Sequence, residues 1–213
     1  MPESDKIHKK GTLSTSDLDD VKKRYQNRIE QFGVSFDSLN SGDQAKQIAR
    51  CEAHLKSMDI NKSHVLDIGC GLGSFYNFLK QNHAKYTYTG YDIVNEYINY
   101  CKEHYKDASF ECRNIFEDGI EGTYDTIVMS QVLNNRYSSS DNMEVMCNAI
   151  ELAFKHTTHS VSIDMMSKYV DFENPELYYY QPEEVFKYAK KVTKKVRLLH
   201  EYRPFEFCIQ LFH

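Results

Sequence analysis

Apolar residues along the first quarter of the chain recur at helical spacing. Leu18, Val21, Tyr25, Ile29 and Phe32 fall three or four apart, which predicts an amphipathic helix over 17–32 that Gly33 terminates. Ser41-x-x-Gln44 has the form of a capping box and predicts a second helix starting at Ser41, with Ile48, Cys51, Leu55 and Met58 as its apolar stripe. From residue 64 the pattern changes to short strand-like runs separated by helical faces. HVLDI (64–68), YTYTGY (86–91), ASFECR (108–113), YDTIVMS (124–130) and HSVSIDM (159–165) read as strands. Between them Leu72, Phe75 and Leu79, then Val94, Tyr97, Ile98 and Cys101, then Met146, Ala149, Ile150 and Ala153 mark helices. Repeated strand–helix units predict a mostly parallel sheet covered on both faces. A helix opened near Pro182 precedes KVRLLHEY (195–202) and FEFCIQLF (205–212), which only Arg203-Pro204 joins. A link that short cannot be a parallel crossover, so these two runs pair antiparallel. The expected class is α/β, a seven-stranded, mostly parallel sheet with a C-terminal antiparallel hairpin. The chain divides into a polar tail (1–16), an N-terminal helical cap (17–60) and a main domain (61–213).

Composition narrows the function classes. Hydrophobic residues make up 41% of the 213 positions and charged residues 27%, which suits a globular chain with a real core. Acids outnumber bases 31 to 26, so no overall cationic field draws the chain onto nucleic acid or an anionic membrane. Lys187, Lys190, Lys191, Lys194, Lys195 and Arg197 form a basic edge without interleaved aromatics and read as a solvated edge, so a nucleic-acid partner is not expected. No apolar run approaches the roughly 18 residues of a membrane span, and the N-terminus lacks the apolar stretch of a signal peptide. The six cysteines contain no CxxC pair, which suits reduced thiols and a cytoplasmic location.

The chemistry concentrates in VLDIGCGLGSF (65–75). A strand delivers the chain to Gly69-Cys70-Gly71-Leu72-Gly73 and a helix opens directly after it. Glycines there permit left-handed torsions and close approach of a ligand, while the helix start adds free N–H groups. Asp92 closes the next strand, 25 residues after Asp67, where a carboxylate meets the hydroxyls of an adenosine ribose. Position 74 is Ser and the third glycine is Gly73, so the GxGxxG fingerprint of dinucleotide binding is not completed.

At these residues the chain resembles the class I S-adenosylmethionine-dependent methyltransferases. LDIGCGLG is similar to that family's signature loop and YTGYDI to its ribose-binding acid with the apolar residue that follows. FECRNIFED (110–118), YDTIVMSQVL (124–133) and the terminal hairpin extend the likeness over roughly residues 60–213. The resemblance implies a Rossmann-like fold, S-adenosylmethionine as cofactor and S-adenosylhomocysteine as product. It also implies that Asp67 and the loop Gly69, Cys70, Gly71 and Gly73 hold the methionine part, Asp92 the ribose, and Ile93, Asn114 and Ile115 the adenine. Ser130 and Gln131 would lie near the methionine amino group or the acceptor, and Arg50 near the cofactor carboxylate. No metal site follows from the scattered histidines.

Methyl transfer to an oxygen or nitrogen of a small-molecule acceptor is the expected activity. An RNA or protein methyltransferase and a non-catalytic cofactor-binding module are the alternatives. No base announces itself; His156, His159, Tyr169 and Tyr179 are the candidates. Tyr169, Phe172, Tyr178, Tyr179 and Tyr180 crowd the connection 166–182, which predicts a tyrosine lid over the acceptor, with Tyr25 and Arg28 of the first helix closing the other side. Failing that lid, the pocket is expected along Gln131–Arg136. Asp43, Gln47, Arg50 and His54 form a polar stripe on the second helix, which in most proteins is a solvated face.

Overall fold

The computed structural model describes residues 11–56, 58–82 and 85–213. Its elements run α1 (Thr15–Phe32), α2 (Gln44–Leu55), β1 (Ser63–Ile68), α3 (Ser74–Asn82), β2 (Tyr86–Asp92), α4 (Asn95–His104), β3 (Ser109–Cys112), β4 (Tyr124–Ser130), α5 (Asn142–Lys155), β5 (Thr157–Met166), α6 (Pro182–Val192), β6 (Lys195–Arg203) and β7 (Glu206–Phe212). They build one seven-stranded sheet in the order β3-β2-β1-β4-β5-β7-β6, parallel except where β7 runs against both its neighbours. Strand order reverses between β1 and β4, and in such sheets the crevice at the carboxyl ends of those two strands receives the ligand.

Alternation along the strands assigns the two faces. Leu66, Ile127, Met129, Val161, Ile163, Phe207 and Ile209 turn toward α5 and α6 in the larger core, while Val65, Tyr88, Phe110 and Val128 pack with α3 and α4 in a second. On the latter face β5 and β7 break the apolar rule. Ser160, Ser162, Asp164, Glu206, Cys208 and Gln210 are all buried there, and α2 covers them.

Two boundaries differ from the sequence expectation. The second helix starts at Gln44, not Ser41: Asp43 is the cap, accepting from the Lys46 N–H at 2.9 Å, because a carboxylate at the cap meets the positive helix end. The first helix starts at Thr15, inside the stretch read as tail, with Ser14 accepting from the Asp17 N–H at 3.1 Å and Leu13 packed on the larger core. Residues 1–10 of that tail lie outside the described residues. Asp17 then ties α1 to the body by accepting backbone N–H bonds from Ser138 (2.8 Å), Ser139 (3.2 Å) and Ser140 (2.7 Å). Burial alone would raise its pKa, but these donors outweigh burial and hold it at about 2.

Candidate functional site

The turn after β1 is fixed by glycine torsions and by the strand beside it. Gly69, Gly71 and Gly73 have φ of 76°, 52° and 73°, in the left-handed region that side chains resist. The N–H groups of Gly69 and Cys70 both donate to the Tyr91 carbonyl, at 2.7 and 3.0 Å, which fastens the turn to β2. A Cβ on Gly69 would stand 2.4 Å from Val132 Cγ2, and one on Gly71 2.8 Å from Leu39 Cδ2. The loop is therefore closely walled by Val132, two residues beyond β4, and by the segment before α2. The Cys70 thiol points down at Gly90, so only its backbone faces a ligand.

Asp92 ends β2 beside this turn. One carboxylate oxygen accepts from the Gly71 N–H at 2.8 Å and the other from the Val94 N–H at 2.9 Å. Burial raises its pKa, and those N–H donors oppose the rise. Asp67, on β1, accepts from the Tyr88 hydroxyl at 2.5 Å; burial pushes its pKa up to about 6, against the pull of Tyr88 and His54. Asn114 is spoken for locally: its side-chain oxygen accepts from the Phe116 N–H at 3.1 Å.

These groups line one cavity of about 180 Å³ at the carboxyl edge of the sheet. Asp67, Gly69, Cys70, Gly71, Asp92, Ile93, Asn114, Ile115, Ser130, Gln131 and Arg50 all border it; Gly73 does not, and faces Tyr105 instead. The roof is the N-terminal segment. Tyr25 and Val21 of α1, Leu39 of the one-turn 3-10 helix Phe36–Leu39, and Arg50 and His54 of α2 close the space from above. Arg28 does not reach it, since its guanidinium bonds the Ser38 and Asp37 carbonyls and pins that turn.

Several expectations are corrected here. No residue of 166–182 borders the cavity. Tyr180 is buried, donating to the Leu133 carbonyl at 2.9 Å, and the Tyr179 hydroxyl accepts from the Asn174 N–H at 2.9 Å, so the tyrosines fold their own connection onto the body. Tyr169 is 59% exposed and bonds Glu183 outside. The lid is absent from that side, and the pocket wall runs along Gln131, Val132, Leu133, Asn135 and Tyr137. His156 and His159 stand at the opposite, amino-terminal edge of the sheet, against the Gly122 carbonyl and Asp125, too far round the fold to touch a ligand in the cavity. The polar stripe of α2 is not solvated over its second half: Arg50 and His54 are buried.

Arg50 forms a bidentate pair with Glu206, Nε and Nη2 each at 2.8 Å, and its Nη1 donates to the Ser41 carbonyl at 2.6 Å. His54 places Nδ1 2.7 Å from Ser162 Oγ and Nε2 3.2 Å from Asp164. Burial works against its charge, but the Cys208 sulfur and the Asp164 carboxylate favour it and push its pKa up to about 10. Burial likewise raises Asp164, and His54 and Arg50 outweigh it, holding this carboxyl below its usual value. The sequence pattern left Asp164 unmarked and placed His54 only in the stripe read as a solvated face. The alternation of Ser160, Ser162 and Asp164 along β5 was the available signal, since a polar period of two in an internal strand needs a polar partner above it.

A doubly wound sheet with a reversed seventh strand, a glycine turn after β1 and an acid closing β2 defines a Rossmann-like nucleoside-binding fold. A family model described as a methyltransferase domain matches residues 60–195, and the chain belongs to that family. A Mycobacterium tuberculosis protein named "Putative methyltransferase Rv1506c" is 28% identical over 154 residues, spanning 67% of this chain and 89% of the relative. Among solved structures, the magnesium protoporphyrin IX methyltransferase of Synechocystis PCC 6803 with bound S-adenosylhomocysteine superposes with a TM-score of 0.65 at 15% identity, covering 92% of this chain and 99% of that one. The plantazolicin methyltransferase BpumL gives 0.66 at 12% identity, covering 93% and 99%. The chain is thus an S-adenosylmethionine-dependent methyltransferase of the class I fold.

Proposed function

We propose that the chain methylates an oxygen or nitrogen of a small-molecule acceptor, in the cytoplasm, with no nucleic acid or membrane as partner. The observation that carries this reading is the roofed cavity: α1, the Phe36–Leu39 turn and α2 cover the carboxyl edge of β1 and β4 and leave about 180 Å³ beneath them. The cover itself supports the reading, since a roofed edge admits a small molecule more readily than a folded RNA or protein surface. A magnesium protoporphyrin IX methyltransferase and a plantazolicin methyltransferase, the latter solved with a triazolic desmethylPZN analog, share the fold, and neither is named for a nucleic-acid acceptor.

When bound, the cofactor supplies a methyl group already activated on a sulfonium sulfur. The side chains present fit such a group. Each oxygen of Asp92 has one N–H donor and a further lone pair for the ribose hydroxyls, and Ile93 and Ile115 offer apolar walls for the adenine. Arg50 keeps one hydrogen on each Nη beyond those given to Glu206 and Ser41, enough to meet a carboxylate. Both ring nitrogens of His54 are engaged, by Ser162 and Asp164, so this imidazole is not the base, and rate comes chiefly from orientation and exclusion of water.

The test is calorimetry with S-adenosylhomocysteine and NAD, followed by a screen of small acceptors for product formation. Binding of S-adenosylhomocysteine and not NAD is expected, and the reverse would overturn the reading. Asp92→Ala is expected to weaken the cofactor roughly 10- to 100-fold while the chain stays folded. An unchanged dissociation constant would make Asp92 a strand cap only.

Asp67 gives this binding a pH dependence. A bound cation favours the carboxylate, so below about pH 6 a proton must leave on binding. Affinity for S-adenosylmethionine is expected to rise about tenfold from pH 5 to pH 7 and to level off above, with Asp67→Asn flattening the curve. A wild-type affinity independent of pH across that range counts against it. The sign for stability is opposite. The folded chain holds this proton up to about 6 and the unfolded chain only to 3.8, so Asp67 lowers stability as pH rises through that interval.

A further inference from the structure

Asp164 lies at the carboxyl end of β5 with no exposed surface, so it cannot touch a ligand. Yet its carboxylate gathers four donors from two walls of the cavity. Oδ1 accepts from the Gln131 N–H at 2.6 Å and from Gln131 Nε2 at 2.8 Å; Oδ2 accepts from Ser130 Oγ at 2.9 Å and faces His54 Nε2 at 3.2 Å. Four bonds use every acceptor position a carboxylate has.

The backbone it holds is not a relaxed one. Gln131 has φ 61° and ψ 13°, left-handed without being glycine, a conformation that persists only where the surroundings over-determine it. Its side-chain oxygen is fixed as well, accepting from Asn134 Nδ2 at 2.8 Å, and Asn134 in turn accepts from the Met166 N–H at 2.9 Å. Ser130 and Gln131 both border the cavity, next to Val132, which walls the glycine turn. His54 comes from α2 overhead and is itself oriented by Ser162.

We propose that Asp164 is the positioning residue of the site: it pins the Ser130–Gln131 corner in its left-handed conformation and joins that corner to α2 through His54, so that floor and roof of the cofactor chamber share one register. The proposal rests on the cavity being the cofactor site. Asp164 acts through the corner, and loss of its charge lets Gln131 relax toward ordinary torsions, carrying Val132 off the glycine turn.

A double-mutant cycle on the full chain separates this role from simple charge balance. Calorimetry with S-adenosylhomocysteine is run on the wild type, Asp164→Asn, Gln131→Gly and the double variant, each first shown to melt cooperatively. Glycine accepts φ 61° without strain, so a corner that no longer resists needs no pin. Asp164→Asn is expected to weaken binding tenfold or more in the wild-type background and less than threefold in the Gln131→Gly background. Equal losses in both backgrounds would reduce Asp164 to a charge-balancing residue and overturn the proposal. So would unchanged affinity in a folded Asp164→Asn variant. Should that variant not fold, Gln131→Ala is the second arm, since it removes one donor from Asp164 and leaves the buried strand intact. A three- to tenfold weaker affinity is expected from it, and no change overturns the proposal. Absence of S-adenosylhomocysteine binding by the wild type would instead strike the reading of the cavity itself, and the proposal with it.

Discussion

Gly69→Val is expected to abolish measurable binding of S-adenosylhomocysteine, a loss of at least about a hundredfold. Two costs coincide at this residue. A side chain at φ 76° costs roughly 1–2 kcal/mol, and a β-branched one more. The Cβ would also stand 2.4 Å from Val132 Cγ2, a distance no real pair of carbons tolerates. The backbone cannot swing aside, because the Gly69 and Cys70 N–H groups both hold the Tyr91 carbonyl. The clash therefore displaces Val132 and the Gln131 corner beside it, or it opens the turn; either result spoils the cavity wall. Gly119→Ala is the control. Its φ is 71°, but nothing lies within 4 Å of an added Cβ, so it carries the strain without the clash. It is expected to lower stability by about 1 kcal/mol and to leave cofactor affinity unchanged. Calorimetry and thermal melts on both variants check the pair. Gly69→Val binding within threefold of the wild type would show that the turn is not part of the site.

The contrast between these glycines shows what a sequence can disclose. The turn at Gly69 and Gly71 was legible because its geometry is local: a strand must stop, turn left-handed and start a helix within a few residues, and few residue types allow it. The five parallel strands and the closing hairpin were legible for the same reason, since period and link length decide them. The roof was not. Whether Arg50 and His54 meet water or protein depends on Ser162, Asp164, Glu206 and Gln210, more than a hundred residues away, and on β5 and β7 turning that polar edge upward. A stripe of charged residues on one helix has the same pattern whether it faces solvent or a matching polar face. The tyrosine cluster of 169–180 misled in the opposite sense. Its length and aromatic content suit a lid, but Tyr180 finds the Leu133 carbonyl and Tyr178 stacks edge-on against it, so burial on the body takes the rings away from the cavity. Composition records that rings will be buried, not against what.

The polar contact beneath α2 sets the second large effect, on stability. Glu206→Ala is expected to destabilise the chain by about 3–5 kcal/mol, the range for removing one partner of a buried ion pair. Arg50 and Glu206 keep only 6% and 4% of their side-chain surface exposed, and the pair is bidentate, with Arg203 Nε a further 3.0 Å from Glu206 Oε1. Without Glu206 the buried guanidinium has no carboxylate within bonding reach among the described residues, and α2 must lift to hydrate it. For a domain of this size the loss corresponds to a melting temperature lower by roughly 6–20 °C. Because the cost is that of an abandoned charge and not of a lost attraction, removing both partners should be milder. Arg50→Met with Glu206→Leu is expected to recover more than half of the loss in urea denaturation, while each single variant remains strongly destabilised. The cofactor should report the same change differently. α2 roofs the chamber and Arg50 borders it, so on the proposed role of Arg50 toward the cofactor carboxylate the double variant is expected to regain stability without regaining affinity for S-adenosylhomocysteine. A Glu206→Ala chain within 1 kcal/mol of the wild type would mean that α2 is held by its apolar side alone. A stable double variant with wild-type affinity would mean that Arg50 serves the roof and not the ligand.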